Sequence, residues 1–149
     1  MRTVIQRVKH ASVTIDGVVH GKINQGFLLL VGIKDDDTEA VVEKMADKIA
    51  KMRIFDDENG KMNLALQQVG GAILSISQFT LFANCKKGNR PSFDGAGKPE
   101  HAKAMYLYFN EVLRRYGIQV EEGIFAAEMK VELLNDGPIT ICLDSEDLK

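Results

Sequence analysis

The sequence predicts an α+β fold in one domain, and three observations carry that prediction. Short β-branched runs with period-two alternation recur along most of the chain, two longer segments carry apolar residues at helical spacing, and no linker or low-complexity stretch divides them. At 149 residues the chain is one domain's worth, long enough to bury a real core. A hydrophobic fraction of 45% and a charged fraction of 27% are those of an ordinary soluble globular protein. The predicted order is three strands, a helix, two strands, a helix and a closing set of strands.

From Thr3 to Ile15, Val4, Val8, Ala11, Val13 and Ile15 give a mostly alternating β pattern, and Asp16-Gly17 follows as a hairpin turn into a second strand, Val18 to Ile23. Asn24-Gln25-Gly26 turns the chain into Phe27 to Ile33, an unbroken apolar run that reads as a central strand buried on both faces. Asp35-Asp36-Asp37-Thr38 supplies helix N-cap candidates, and Val42, Met45, Ile49 and Met52 recur at helical spacing, so a helix spans about Thr38 to Met52. Arg53-Ile54-Phe55 is a short strand and Asp56 to Gly60 its turn. That turn is acidic, but it lacks the spacing and terminal Glu of a calcium loop. Leu64 to Val69 fits strand or helix and ends at Gly70-Gly71. A strand then runs from Ala72 to about Phe82.

Pro99-Glu100 opens the second helix, with Ala102, Met105, Tyr106, Phe109, Val112, Leu113 and Tyr116 on one face and Gly117 as the C-cap. The chain returns to strands at Gln119 to Glu121, Glu128 to Leu134 and Ile139 to Leu143, followed by a polar tail, Asp144 to Lys149.

Several functional classes are disfavoured by composition. No apolar run approaches a membrane span, and the N-terminus lacks the apolar region of a signal peptide, so a cytoplasmic protein is expected. Cys85 and Cys142 have no metal spacing and form no disulfide framework, so neither a metal nor another cofactor is expected. A net charge of −2 argues against broad affinity for nucleic acid while leaving room for a local basic patch.

The stretch Ser77-Gln78-Phe79-Thr80-Leu81 interrupts an apolar β run with a hydroxyl, an amide and a second hydroxyl. Two readings stand on these residues alone: a strand end whose Ser and Thr satisfy the next turn, or a strand mouth that presents side chains and backbone N–H groups to an oxyanion. The following loop, Asn84 to Phe93, holds Lys86, Lys87 and Arg90, which form either a solvated basic loop or a phosphate contact. Cys85 beside two lysines has no accompanying base, since His10, His20 and His101 sit in unrelated contexts. Asn135-Asp136-Gly137-Pro138 is turn chemistry between two strands, and its Gly-Pro bond can be trans or cis.

Together, Ser77-Gln78-Phe79-Thr80-Leu81 and Asn135-Asp136-Gly137-Pro138-Ile139-Thr140 closely resemble the signature pair of the D-aminoacyl-tRNA deacylases. The likeness covers essentially the whole chain through Val4-Ile5-Gln6-Arg7-Val8, Ala11-Ser12-Val13, Arg53-Ile54-Phe55, Gly60 to Asn63, Gly88 to Phe93 and Gly123-Ile124-Phe125. Ile139 stands where valine is expected, and Ala126 where glycine is expected; the second matters if that backbone needs a positive φ.

The resemblance implies a homodimer of small α+β subunits, each a barrel-like, mostly antiparallel sheet with two main helices, and active sites at the interface. It implies hydrolysis of the ester joining a D-amino acid, or glycine, to the 3′-terminal adenosine of tRNA, a proofreading step in translation quality control. Ser77, Gln78, Phe79 and Thr80 would form the catalytic floor. Gly137 and Pro138, through a cis peptide supplied by the other subunit, would exclude L-aminoacyl groups, with Arg7 bracing that loop. Phe125 and Met129 would line the pocket or belong to the core, and Lys86, Lys87 and Arg90 would contact tRNA. No protein nucleophile is required, because an activated ester needs an oriented water and a stabilised oxyanion. Thr80 as a nucleophile is the competing mechanism. The rival classes are a catalytically silent RNA-binding module and a structural dimerisation domain.

Overall fold

The path of the chain follows from one long strand, β1 (Arg2–Ile15), which has a partner on each edge. A computed structural model describes all 149 residues. One edge of β1 pairs antiparallel with β3 (Gly26–Gly32) over its first half and with β2 (Val18–Ile23) over its second. Its other edge pairs antiparallel with β8 (Lys130–Asp144) almost end to end. Asp16 (φ 51°) and Gly17 (φ 78°) form the predicted hairpin turn between β1 and β2.

Beyond β3 the sheet changes character. β6 (Ala72–Ser77) pairs parallel with β3, and β7 (Val120–Glu122) pairs parallel with β6. β2 curls back over this parallel half: a Cβ on Gly21 would lie 3.2 Å from the Glu122 carbonyl oxygen, and His20 Nδ1 lies 2.9 Å from the same atom. The result is a nearly closed, barrel-like mixed sheet. A separate two-stranded ribbon, β4 (Arg53–Asp56) with β5 (Met62–Ala65), sits outside it.

Two helices cover one face of the sheet: α1 (Glu39–Lys51) and α2 (Pro99–Arg115). α1 starts where Thr38 accepts the Val41 N–H at 3.3 Å, which makes Thr38 the cap among the four polar candidates. Asp37 is otherwise engaged, 2.7 Å from the Met1 amino group and 2.7 Å from the Lys34 N–H. Strand alternation sorts the core into two parts. Phe27, Leu29 and Val31 of β3 pack under the helices with Met45, Ile49, Tyr106 and Phe109, whereas Leu28 faces the barrel interior with Val8, Leu74 and Ile76. β3 is therefore buried on both faces, as its unbroken apolar sequence requires.

Two expectations are corrected and one open alternative is resolved. The strand from Ala72 ends at Ser77, and Phe79–Phe82 is a 3₁₀ turn, because Gly32 lets the Phe82 ring and Leu81 close against β3 at a spot where a Cβ would lie 2.9 Å from Phe82. The ambiguous segment Leu64 to Val69 divides between the end of β5 and a 3₁₀ turn, Leu66–Val69. Asn135-Asp136-Gly137-Pro138 does not separate two strands. Both halves of β8 pair with β1, Asn135 opposite Val8 and Thr140 opposite Gln6, so the motif is a bulge within one strand, opposite Arg7. The Gly137–Pro138 peptide is cis. No helix is long and apolar enough to cross a membrane.

Two substitutions test these backbone constraints. A Cβ at Gly26 would stand 1.8 Å from the Ala72 carbonyl oxygen, so Gly26→Ala is expected to lose more than about 2 kcal/mol in urea unfolding, since the clash is with backbone that cannot rotate away. Ala126 has φ 65°, where a Cβ costs about 1–2 kcal/mol. Gly at this position relieves that cost, offset by about 0.4–1 kcal/mol of extra unfolded-state entropy. Ala126→Gly is therefore expected to leave the urea midpoint equal or raised, whereas the same change at an ordinary φ would lower it.

Candidate active site

Parallel strands leave a crevice beyond their carboxyl ends when their continuations diverge. Here β3, β6 and β7 run in the same direction, and their exits surround a cavity of about 720 Å³. Ile76, Ser77, Gln78 and Phe79 line it from the end of β6, Val31, Ile33 and Asp35 from the end of β3, and Phe125, Ala126, Ala127 and Met129 from the chain between β7 and β8. The fourth side is the segment Phe93 to Pro99, held by Gly97 N–H to the Ile33 carbonyl at 2.8 Å and by Lys98 N–H to Asp35 Oδ1 at 2.7 Å.

The floor is set by how β6 ends. Gln78 N–H donates to the Val31 carbonyl at 2.8 Å, the last bond tying this chain to β3, and the backbone then turns into the 3₁₀ segment. That turn's first internal bond is Leu81 N–H to the Gln78 carbonyl at 3.3 Å. The N–H groups of Phe79 and Thr80 lie ahead of it and are not used by the turn. The side-chain amide of Gln78 donates to Thr80 Oγ1, so two of the predicted residues are joined. Phe79 is 55% exposed, and its ring meets Phe93 edge-on with centroids 5.1 Å apart at the mouth.

The structure brings together Ser77, Gln78, Phe79, Phe125 and Met129 as lining of one cavity. Phe125 and Met129 also pack against the core, so the two readings of them are compatible. Thr80 is exposed beside the cavity without lining it. Lys86, Lys87 and Arg90 are exposed on a loop pinched by two backbone bonds between Asn84 and Ser92, of 2.7 and 2.9 Å, just before Phe93. No histidine and no cysteine lines the cavity. Nor do three or more His, Cys, Asp or Glu side chains gather anywhere as a metal-holding group.

Gly137 and Pro138 are exposed and line no part of this chain's own cavity. They are nonetheless tightly held. Asn135 Nδ2 donates to the Arg7 carbonyl at 3.0 Å and to the Ile139 carbonyl at 2.9 Å, closing the bulge on itself. The Arg7 guanidinium is buried beneath, with Nε 3.4 Å from Asp136 Oδ2, and a Cβ on Gly137 would be 3.2 Å from Arg7 Nη2. Arg7 also donates to the Ile54 carbonyl at 2.8 Å, so the bulge is tied to the β4–β5 ribbon.

Sequence reading missed Asp35, Asp94 and Lys98 at the rim, because they sit on loops whose neighbours in space are distant in sequence. It also missed Asn110, a fully buried amide on the apolar face of α2. The signal available for Asn110 was a polar residue one turn from Tyr106 within an otherwise apolar stripe.

Comparison with known proteins places the chain in a family. A sequence model of the D-Tyr-tRNA(Tyr) deacylase family matches residues 4–144. A D-aminoacyl-tRNA deacylase of Lactobacillus acidophilus is 61% identical over 144 residues, covering 97% of this chain and 99% of its own. One from Thermus aquaticus is 53% identical over 147 residues, covering 99% and 97%. Among solved structures, a c-Myc DNA unwinding element binding protein superposes with a TM-score of 0.90 at 40% identity, covering 97% of this chain and 98% of its own. A probable eukaryotic D-amino acid tRNA deacylase superposes with a TM-score of 0.85 at 14% identity over 95% and 97%, a likeness of fold. By sequence over nearly its whole length, this chain belongs to the D-Tyr-tRNA(Tyr) deacylase family.

Proposed function

We propose that this protein hydrolyses the ester between a D-amino acid, or glycine, and the 3′-terminal adenosine of tRNA, releasing free amino acid and tRNA. One observation supports this above the others: a largely apolar cavity with Ser77, Gln78 and Phe79 along its floor, beside a turn that leaves the N–H groups of Phe79 and Thr80 without an internal partner. That arrangement suits an activated ester. Water attacks the carbonyl carbon, the carbonyl oxygen becomes an oxyanion that accepts from the Phe79 and Thr80 N–H groups, and the ribose 3′-oxygen leaves with a proton. The neighbouring ribose 2′-hydroxyl assists the water. No hydrogen bond joins the Thr80 hydroxyl to a carboxylate, histidine or cysteine. Its hydroxyl takes the Gln78 amide instead, which supports a role for both in orienting the substrate.

Chiral selection falls to Gly137 and Pro138 of a second copy, inserted across a dimer interface so that their carbonyl oxygens stand against the substrate Cα. There is then room for hydrogen but none for an L side chain, and the rejection is steric. The reading is supported by a bulge that is exposed, lies outside its own chain's cavity, and is braced by Arg7 and Asn135. Lys86, Lys87 and Arg90 contact tRNA phosphates at the mouth. A cytoplasmic enzyme working on the translation pool fits this substrate.

Hydrolysis of matched D- and L-tyrosyl-tRNA by purified protein tests the assignment. The D ester is expected to be cleaved at least about 100-fold faster than the L ester. Thr80→Ala is expected to keep a tenth or more of kcat, on the order of what an orienting hydroxyl supplies, while Gln78→Ala loses roughly 10-fold or more. Loss of all activity in Thr80→Ala would instead identify a nucleophile. Tight tRNA binding with neither ester cleaved would leave a silent RNA-binding module. Replacing Lys86, Lys87 and Arg90 together by Ala is expected to flatten the logarithmic salt dependence of tRNA binding by roughly 2–3, at about 0.7–0.9 for each phosphate no longer neutralised. An unchanged slope would move the tRNA elsewhere on the surface.

A further inference from the structure

The β6–β7 ladder has only three rungs, and the last joins Ser75 to Glu122. Beyond that rung the two chains separate, β6 into Ile76, Ser77 and Gln78 of the floor, β7 toward Phe125 and Ala126 of the wall. A polar stripe of α2, Tyr106, Asn110 and Arg114 at four-residue intervals, lies against this fork. The Tyr106 hydroxyl donates to the Ser75 carbonyl at 2.6 Å. Asn110 Nδ2 donates to Glu122 Oε2 at 2.8 Å; Arg114 Nη2 donates to the same oxygen at 3.3 Å and to the Val120 carbonyl at 2.8 Å.

We infer that Tyr106 and Asn110, acting through Ser75 and Glu122, are positioning residues that fix how far β6 and β7 part and thereby the separation of the cavity's floor from its wall. Tyr106 reaches both branches at once: its hydroxyl holds the β6 backbone two residues before Ser77, and its ring lies 6.3 Å from that of Phe125 on the wall. Stability alone does not account for the polar groups here. Ser75 and Asn110 are fully buried, and Ser75 Oγ and Asn110 Oδ1 have no hydrogen-bond partner, so two buried polar atoms here carry a desolvation cost that a contact built for stability alone would avoid. What polar pairs supply is a single allowed alignment of α2 against the fork, where apolar contacts would tolerate sliding. Burial pushes the Tyr106 phenol up to about 12, so it remains a protonated donor at any working pH and takes no part in proton transfer.

Tyr106→Phe removes one oxygen, and Asn110→Leu replaces the amide at nearly equal volume. The kinetic arm rests on the deacylase reading; a second arm, the amide resonances of Phe79 and Thr80 in the free protein, does not. Each variant leaves one acceptor short of a donor, so both are expected to lower the melting temperature by a few degrees, to lose on the order of 10-fold in kcat on D-tyrosyl-tRNA with KM within about twofold, and to move those two resonances. If Asn110→Leu does not fold, Tyr106→Phe decides alone. Wild-type kcat together with unmoved Phe79 and Thr80 resonances overturns the inference, as does a lowered melting temperature with kcat unchanged. If wild type cleaves no ester, the deacylase reading falls, and the resonances by themselves uphold or overturn the positioning role.

Discussion

The parallel pairing of β3, β6 and β7 is the constraint on which the rest of the molecule depends. Antiparallel neighbours hand the chain back to each other through tight turns, and their ends are closed. Parallel neighbours must be reached by crossovers, and α1 and α2 are the main bodies of those crossovers here: one lies between β3 and β6, the other between β6 and β7. The helices are thereby forced onto one face, where they complete the larger core, and three strand ends are left open on one side. The cavity is the direct consequence. Its floor is polar because a strand that has lost its neighbours exposes N–H groups that no ladder consumes.

A second constraint sits at the opposite edge of β1. Arg7 alternates into the interior on the face of β1 that also carries Thr3 and Ile5, and it is 6% exposed. A buried guanidinium is tolerated when oxygens surround it, and the Ile54 carbonyl, Asp56 and Asp136 provide them from two different elements. With Asp136 held from below and Asn135 bonded on both sides of the bulge, Gly137 and Pro138 have little freedom although both are exposed. Rigidity at an exposed point is what the proposed steric selection demands, since a loop that yields cannot exclude a substrate by size.

Much of this could be read from the sequence. The Asp16-Gly17 hairpin, the doubly buried β3, the Thr38 cap and the Pro99 start of α2 each follow from local chemistry that tertiary structure had no reason to override. The site motif was legible because Ser77-Gln78 breaks an apolar run where the core would otherwise continue. What stayed hidden was non-local. That β6 joins β3 in parallel is decided by crossover geometry, and nothing within Ala72 to Ser77 distinguishes a parallel edge from an antiparallel one. The same holds for β8, where Asn-Asp-Gly-Pro carries every local mark of a turn, yet pairing of both flanks with one partner makes it a bulge. Ala126 lies between: its departure from glycine was visible in the sequence, but only the fold reveals that the position has φ 65°.

In the proposed mechanism, the floor and the bulge of a second copy divide the chemical task by the kind of backbone they use. The floor offers N–H donors from a turn just past a strand end, where the dipoles are fixed before any ligand arrives and need not reorganise as negative charge develops. Twelve of the nineteen residues lining the cavity are hydrophobic, so a group bound there sheds most of its water, and those donors act in a medium where each is worth more than in bulk solvent. A charged nucleophile in the same surroundings would be penalised by burial, and the cavity holds neither cysteine nor histidine. An ester already activated by its ribose neighbour does not need one. Apolar walls that would be a poor setting for covalent catalysis are a favourable one for oxyanion stabilisation, and the substrate class of the proposed function calls for that same chemistry.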